Sequence, residues 1–512
     1  MDPIALLDKL PPGIRGTLEK TLRSMPFIED SLKKIPVVKK MIDGQTGDML
    51  ADMEGDLKPY KDSSYTAAAL PDAGLAQSKI LTEMNRLKKQ EEKRWQDGYV
   101  SGAVYHGDSK HIDFLNKVYA IHSQANPLHS DLWPSATKFE AEIISMTANM
   151  LCGGDRKVGT PDEICGSVSS GGTESIMLAM KTYRDYARKT RGIKKPEMIT
   201  GVTAHAAFDK AAQYFQIKRR VVPMDANYKM DVDAVKRAIN RNTIVIVGSA
   251  PTFPHGVIDP IGELAELARK RGIGFHTDSC LGGFVLPFAE KLGYPVPPFD
   301  FRVPGVTSMS VDTHKFGYAA KGSSVVLYRS PELRMHQYYT VTDWPGGLYF
   351  SPTFAGSRPG ALSAVCWAAM VSMGEKGYLD ATQAILKTAS DIKAGVATID
   401  GVEVMGDPLW VIGLKSDTYD IYRIMDFMTK RKWNLNGLHK PACVHICVTL
   451  RHTQRGVAKR FLKDLREAVN FVKEGPSSEG GMAPVYGMAA TLPARSLVGD
   501  LLKSYMDILY KV

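Results

Sequence analysis

The chain has 512 residues, too many for one small hydrophobic core, and with 44% hydrophobic and 23% charged residues it has the composition of a folded globular protein. Its formal net charge of +10 favours anionic ligands, but the basic residues are scattered and no RNA- or DNA-binding motif appears, which argues against a nucleic-acid partner. It has no apolar stretch of transmembrane length and no secretory signal, and its six cysteines are scattered. We therefore expect a soluble cytoplasmic protein with reduced thiols. Delivery as a secreted effector stays open.

Residues 1–75 are predicted to form a flexible N-terminal arm, because prolines interrupt the segment and leave room only for short helices. Basic and apolar residues alternate between Lys33 and Lys40, which would suit peripheral contact with a membrane surface. Packing of the arm on a partner subunit is the preferred interpretation, since Pro36 breaks the helical pattern.

Residues 76–130 are predicted to form a helical segment with active-site loops. An exposed helix is expected over Lys79–Gln96. Two loops follow that place Tyr105 and His129 beside glycine or proline, a combination that often lines binding sites.

Residues 131–370 are predicted to form a large domain in which strands and helices alternate. This order is typical of an α/β fold with a mostly parallel sheet covered on both faces. The candidate strands are Ile164–Val168, Met198–Thr203, Thr243–Gly248, Gly274–Thr277, Thr307–Val311 and Ser324–Tyr328. The candidate helices are Glu174–Ala187, Ala206–Gln216, Val232–Ala238 and Ile261–Lys270.

Residues 371–512 are predicted to form a smaller C-terminal α+β domain, entered through a long apolar helix that begins beyond Ser363. Cys443–Cys447 alternates like a strand; a metal site there would need a second pair of ligands at the usual spacing, so a structural strand is the preferred interpretation. A glycine-rich break over 475–481 precedes a terminal helix from Arg495 to Tyr510.

Four features with chemical potential follow predicted strands of the large domain. The first is the glycine-rich run Ser169–Ser175, which opens a helix where freed N–H groups and the Thr173 hydroxyl can hold a phosphate; a plain helix N-cap is the alternative. The second is His205, whose imidazole could stack on a flat ring or be a hydrogen-bonded residue of the hydrophobic core. The third is Asp278, a carboxylate that needs a partner if it is buried, such as a protonated pyridine nitrogen.

The fourth feature is Lys315, at the end of the Thr307–Val311 strand, where binding sites of open α/β sheets collect. Partial burial is expected to lower the pKa of this lysine, so that a neutral amine can add to an aldehyde. A phosphate cradle, a stacking imidazole, an aspartate and a lysine, in this order, fit pyridoxal 5′-phosphate.

With these residues in place, the chain resembles the fold-type I pyridoxal-phosphate enzymes of the group II decarboxylase-like superfamily, a transferase-like fold with a seven-stranded, mostly parallel sheet. More narrowly, it resembles the sphingosine-1-phosphate lyase family. The resemblance rests on Ser310–Ser323 around Lys315, on Val168–Ser175 and on Met482–Met488, and extends from about residue 25 to the C-terminal helix.

The resemblance implies that Lys315 condenses with the cofactor aldehyde, that Asp278 pairs with the ring nitrogen and that His205 stacks on the ring. It assigns the cofactor phosphate to Gly172, Thr173 and His314. Ser357 is expected to complete this cradle from the neighbouring subunit, which implies a homodimer with sites at its interface.

The resemblance also implies a second anion site, in which Tyr105, His129 and Lys321 bind the phosphate of a sphingoid-base 1-phosphate. The implied reaction is a retro-aldol cleavage of the C2–C3 bond that releases phosphoethanolamine and a long-chain aldehyde. Lys315, Tyr105 and Lys321 are the candidate groups for proton transfer, and the base for the C3 hydroxyl stays open among them.

Two alternatives remain at this stage, an amino-acid decarboxylase of the same superfamily and a catalytically idle cofactor-binding protein. The second anion site favours the lyase over the decarboxylase, and the intact lysine, aspartate and phosphate cradle argue against the idle protein. The membrane anchor of eukaryotic lyases is not found in the sequence, so a soluble, bacterial-type enzyme is expected.

Overall fold

The computed structural model describes residues 54–55, 58–60, 66–475 and 495–512. The chain divides into two compact units, Met1–Glu91 with Ser478–Val512, and Glu92–Ser477. The basic segment Lys33–Lys40 and the motif Met482–Met488 lie outside the described residues, as does most of the predicted arm. The domain boundaries proposed from the sequence stay predictions.

Helix α1 (Gln77–Gln96) begins in the first unit and confirms the helix predicted over Lys79–Gln96. None of its residues is buried, as its charged composition indicates. In the second unit, α2 (Ser109–Ile121) and α3 (Pro134–Met150) precede the main sheet. The side chain of Asp108 caps α2 by accepting a hydrogen bond from the backbone N–H of His111 at 3.1 Å.

The second unit is built on a seven-stranded sheet with the order β1-β7-β6-β5-β4-β2-β3. β7 runs opposite to the other six strands, which are parallel to one another, so the mostly parallel sheet is confirmed. All six predicted strands are present, each end lying within two residues of its predicted position. The strands are β1 (Cys165–Ser169), β2 (Glu197–Gly201), β3 (Lys218–Val222), β4 (Thr243–Ser249), β5 (Gly274–Asp278), β6 (Ser308–Val311) and β7 (Ser324–Tyr328).

Strand β3 is not among the predicted strands. It lies at the edge of the sheet and begins Lys218-Arg219-Arg220, a charged run that lacks the continuous apolar pattern of the central strands. Its arginines have partners: Arg219 pairs with Asp209 and Arg220 pairs with Glu197. The edge position therefore explains both the charge and the missed strand.

Helices cover the sheet as the alternation predicted. The first of them, α4, buries Ile176, Met177 and Tyr183 in a cluster shared with β2 and β4. The helices are α4 (Gly172–Arg191), α5 (Ala207–Phe215), α6 (Val232–Ala238), α7 (Ile261–Lys270), α8 (Leu286–Lys291) and α9 (Pro331–Met335). A two-stranded sheet of β8 (Tyr339–Val341) and β9 (Tyr349–Ser351) follows.

The rest of the second unit begins with the long helix α10 (Gly360–Val396), which Gly374 interrupts with φ 56° and ψ 179°. An antiparallel sheet of order β10-β11-β13-β12 follows, together with two helices. These elements are β10 (Glu403–Val404), β11 (Val411–Lys415), α11 (Ile421–Lys430), β12 (Asn436–Leu438), β13 (Cys443–Cys447) and α12 (Val457–Lys473). The predicted strand Cys443–Cys447 is confirmed, and all five of its residues are buried.

In the first unit, α13 (Arg495–Leu509) confirms the terminal helix. Among the residues that the structure describes, no helix combines the length and the apolar character needed to span a bilayer.

Candidate active site

A cavity of about 400 Å³ lies at the carboxyl ends of β1, β2, β5 and β6. Six residues predicted from the sequence line it together: Gly172, Thr173, His205, Asp278, His314 and Lys315. They come from four separate loops or strand ends, and the parallel course of the four strands brings them to one place. Cys280 and Asp312, which the sequence analysis did not assign, also line the cavity.

One end of the cavity is formed by the first turn of α4, which begins at Gly172. A Cβ atom at this position would lie 2.7 Å from both carboxylate oxygens of Asp312 and 2.8 Å from the sulfur of Cys280, so only glycine fits. The backbone N–H groups of a helix N-terminus and the Thr173 hydroxyl are suitable donors for a phosphate. Glu174 does not belong to this set of phosphate donors, because its carboxylate accepts hydrogen bonds from the N–H groups of Ser170 at 2.7 Å and of Phe354 at 3.1 Å.

Asp278 ends β5 and is buried, with 8% of its surface exposed. Its Oδ1 accepts hydrogen bonds from the Ser310 hydroxyl at 3.0 Å and from the Cys280 N–H at 3.2 Å. These bonds fix the orientation of the carboxylate in the cavity. His205 stands before α5, where its Nδ1 accepts the N–H of Ala207 at 3.1 Å.

Lys315 forms an ion pair with Asp312, whose Oδ2 lies 2.8 Å from Nζ. Burial disfavours the ammonium, but the adjacent Asp312 carboxylate outweighs this effect and raises the pKa of Lys315 above its ordinary value. The expectation of a lowered pKa for Lys315 is therefore wrong, because it considered burial and not the acid three residues earlier.

Asp312 is buried too, and burial favours the protonated form of its carboxyl group. Lys315 and His314 nevertheless hold the pKa of Asp312 below its ordinary value. Its other oxygen, Oδ1, has no hydrogen-bond partner in the described part of the chain.

Lys321 and Tyr105 lie side by side near Lys315. The Nζ atom of Lys321 is 4.5 Å from the centre of the Tyr105 ring and donates to the His314 carbonyl at 3.3 Å. Burial and the charge of Lys315 lower the pKa of Lys321 to about 8, and burial raises the pKa of Tyr105 above its ordinary value. The tyrosine therefore keeps its proton as a donor, while the lysine changes charge near neutral pH.

His129 and Ser357 do not line this cavity. Asn126 links their two loops: its carbonyl oxygen accepts the His129 N–H at 3.0 Å, and its side-chain amide donates to the Ser357 hydroxyl at 3.1 Å. Ser357 lines a larger, mainly apolar cavity of about 850 Å³, which adjoins the first at Ser170 and Thr173.

The residues of the smaller cavity fit pyridoxal 5′-phosphate. A helix N-terminus that tolerates no side chain at Gly172 suits the phosphate, and a buried, oriented carboxylate at Asp278 suits a protonated ring nitrogen. Lys315 supplies the amine that the aldehyde requires.

Comparison with known proteins gives the same family for most of the chain. The model of the pyridoxal-dependent decarboxylase conserved domain matches residues 59–408. The sphingosine-1-phosphate lyase of Arabidopsis thaliana is 47% identical over 499 residues, which cover 96% of this chain and 90% of that protein.

Solved structures agree with this comparison. A sphingosine-1-phosphate lyase of Burkholderia pseudomallei superposes with a TM-score of 0.82 at 41% identity, covering 88% of this chain and 99% of that one. A glutamate decarboxylase of Lactobacillus brevis superposes with a TM-score of 0.68 at 18% identity, covering 82% and 99% of the two chains. The second likeness shows the shared fold alone.

Proposed function

The chain belongs to the pyridoxal-dependent decarboxylase family and, within it, to the sphingosine-1-phosphate lyases; from this premise we propose that it cleaves sphingosine 1-phosphate and other sphingoid-base 1-phosphates between C2 and C3. The products are phosphoethanolamine and a long-chain aldehyde. The observation that carries the proposal is the pair formed by Lys321 and Tyr105, which offers two donors for a second phosphate. Lys321 also donates to the carbonyl of His314, a residue that lines the cofactor cavity.

Pyridoxal 5′-phosphate supplies an aldehyde that takes up amines and a ring that accepts the electrons of the broken carbon–carbon bond. With the cofactor bound, Lys315 would hold its aldehyde and Asp278 would accept the ring N–H. His205 would cover the ring. The N–H groups at Gly172, the Thr173 hydroxyl and His314 would hold the phosphate.

We assign the role of base for the substrate C3 hydroxyl to Nζ of Lys315. Asp312 supports the assignment, because its carboxylate at 2.8 Å stabilises the ammonium that forms when Lys315 takes the proton. Tyr105 is less suited as the base, since burial raises its pKa and keeps its hydroxyl protonated.

Lys321 and Tyr105 are proposed to bind the substrate phosphate. An ammonium and a phenol hydroxyl both donate hydrogen bonds to phosphate oxygens. The positive charge of the lysine also attracts the negative phosphate, whereas it would not attract a neutral group at this end of the substrate. An amino-acid decarboxylase has no need of this second phosphate site, so the same pair favours the lyase over that alternative.

The protein is further proposed to work as a homodimer in which His129 and Ser357 serve the site of the neighbouring subunit. Both residues, like Tyr105 and Lys321, are absent from the lining of the 400 Å³ cavity, but Asn126 ties their two loops together, so they would enter a neighbouring site as one unit. Large apolar side chains are exposed in the segment that leads to Ser357, as expected of a surface that another subunit covers. They are Trp344, Leu348, Phe350 and Phe354, each more than half exposed.

Subunit complementation tests the shared site. Lys315→Ala and His129→Ala are each expected to lose activity as pure proteins. In a mixed dimer, one site combines an intact Lys315 with an intact His129 from the other subunit, so random mixing should restore about a quarter of wild-type activity. If His129 serves its own subunit, mixing restores nothing and the shared site is refuted.

Incubation with sphingosine 1-phosphate and, separately, with a panel of amino acids, followed by mass spectrometry, tests the reaction. Phosphoethanolamine and a fatty aldehyde are the expected products. Carbon dioxide and an amine from an amino acid, without aldehyde from the sphingoid base, would identify the decarboxylase instead.

A further inference from the structure

A chain of hydrogen bonds runs from Asp278 into the interior of the sheet. The parallel register of β5 and β6 pairs His276 with Ser308 and Asp278 with Ser310, which places four polar side chains on one face of two neighbouring strands. Three of them, His276, Ser308 and Ser310, are completely buried. Buried polar groups of this number are costly unless they satisfy one another, and here they do.

The links of the chain are direct. The hydroxyl of Ser310 donates to Asp278 Oδ1 at 3.0 Å, and Nε2 of His276 lies 3.2 Å from the Ser310 oxygen. On the other side of the imidazole, Nδ1 lies 2.7 Å from the Ser308 oxygen. The Tyr183 hydroxyl, which comes from α4, lies 2.6 Å from the same serine.

The proton positions follow from the chemistry of the groups. Burial lowers the pKa of His276 to about 4, although Asp278 acts in the opposite direction, so the ring is neutral with one N–H and one acceptor nitrogen. The hydrogen of Ser310 is committed to the carboxylate, so its oxygen must accept from Nε2–H of His276. Nδ1 is then an acceptor, and Ser308 donates to it.

The three hydrogen bonds that link Ser308, His276, Ser310 and Asp278 all point toward Asp278. Hydrogen bonds that donate in one direction polarise one another, and donation to a carboxylate stabilises its charged form. An ionised Asp278 is what a protonated ring nitrogen requires as its partner.

We propose that His276 is a positioning residue of the cofactor site, which acts through Ser310 to hold the Asp278 carboxylate in the orientation that the ring nitrogen requires. The inference rests on cofactor binding within the proposed function and is independent of the substrate. It would hold equally if the enzyme were a decarboxylase, so its test uses no substrate.

Three variants of the chain separate a positioning role from a packing role. His276→Phe keeps an aromatic ring of similar size and removes both hydrogen bonds. His276→Gln keeps one donor and one acceptor and serves as the conservative variant. Ser310→Ala removes the last link while the imidazole remains. Tyr328→Phe is the matched control, because it removes a buried hydroxyl that bonds to Thr182 at 3.2 Å in the same sheet, away from Asp278.

The measurements are the dissociation constant of pyridoxal 5′-phosphate from the apoenzyme and the ¹⁵N chemical shift of ring-labelled cofactor in the holoenzyme. His276→Phe and Ser310→Ala are expected to weaken binding about tenfold, which corresponds to about 1.4 kcal/mol, and to move the shift toward an unprotonated ring nitrogen. His276→Gln should stay near wild type in both. Tyr328→Phe should lower the thermal midpoint and leave both unchanged.

Wild-type affinity and an unchanged shift in His276→Phe would refute the proposal, as would a His276→Gln variant as impaired as His276→Phe. If His276→Phe does not fold, Ser310→Ala decides by the same two readouts. Failure of the proposed lyase reaction would appear only in product analysis and leaves these outcomes unaffected.

Discussion

Gly172→Ala should disable cofactor binding although it adds a single methyl group. The new Cβ would lie 2.7 Å from both carboxylate oxygens of Asp312 and 2.8 Å from the sulfur of Cys280. Both neighbours are buried, and Asp312 is held by its ion pair with Lys315, so neither can move away freely. The strain must therefore displace the start of α4, where the cofactor phosphate is proposed to bind.

Two opposing effects set the magnitude. Overpacking of this kind costs about 1–3 kcal/mol, whereas replacing glycine by alanine in a helix contributes about 0.5–1 kcal/mol of stability. A net loss of about 1 kcal/mol is expected for Gly172→Ala in the apoenzyme. Its affinity for pyridoxal 5′-phosphate should fall at least tenfold, that is by about 1.4 kcal/mol or more, because the phosphate loses its aligned N–H donors.

Gly262→Ala provides the control, since Gly262 lies in the first turn of α7 and no atom within 4 Å would meet its Cβ. Urea unfolding of the apoproteins and titration with the cofactor, followed by its absorbance, measure both quantities. Gly262→Ala should gain roughly 0.5 kcal/mol and bind the cofactor normally. Normal cofactor affinity in Gly172→Ala would show that the cradle lies elsewhere.

Three further substitutions test the lysines and their acid. Lys315→Ala should abolish turnover and the visible absorbance of the bound cofactor while the far-ultraviolet circular dichroism stays that of the wild type; absorbance and activity that persist would place the cofactor on another residue. Asp312→Asn should retain the absorbance and lower kcat about 10- to 100-fold, because the ammonium formed at Lys315 loses a charge-assisted bond worth about 1.5–3 kcal/mol; a wild-type kcat would exclude that role. The pKa of Lys321 is lowered to about 8, so its charged form prevails below that pH and kcat/KM for the phosphorylated substrate should fall as the pH rises through about 8. Lys321→Arg should remove this decline. An increase in kcat/KM through the same pH range would instead make the lysine a base.

The main sheet could be predicted because its central strands are short apolar runs between glycine-rich turns, a pattern that few other structures produce. The edge strand β3 could not be predicted, because the charged run Lys218-Arg219-Arg220 is compatible with a strand only where part of that strand faces solvent. Which strands are neighbours is also hidden from the sequence. The pairing of β1 with β7, for instance, joins Cys165–Ser169 to Ser324–Tyr328, two segments far apart in the chain.

The site could be predicted only in part for the same reason. Strand ends of a parallel sheet meet at one edge, so Thr173, Asp278 and Lys315 could be expected to converge. The charge state of Lys315 depends on a single neighbour, Asp312, and the sequence does offer a signal for it: an acid three residues before a lysine in a turn can reach that lysine. No such rule places His129, whose distance from the cavity follows from tertiary packing.

The register of β5 against β6 determines more of this site than any single residue does. A pyridine ring presents its nitrogen and its aldehyde on opposite sides, so the carboxylate and the lysine must approach it from different directions. Asp278 is level with Ser310 on the neighbouring strand, and Lys315 follows five residues later, beyond the turn that ends β6. The strand thus supplies the support for the aspartate and the loop supplies the lysine. A slip of one residue would turn Ser310 to the opposite face and remove its hydrogen bond to Asp278, although every residue of the site would still be present in the sequence.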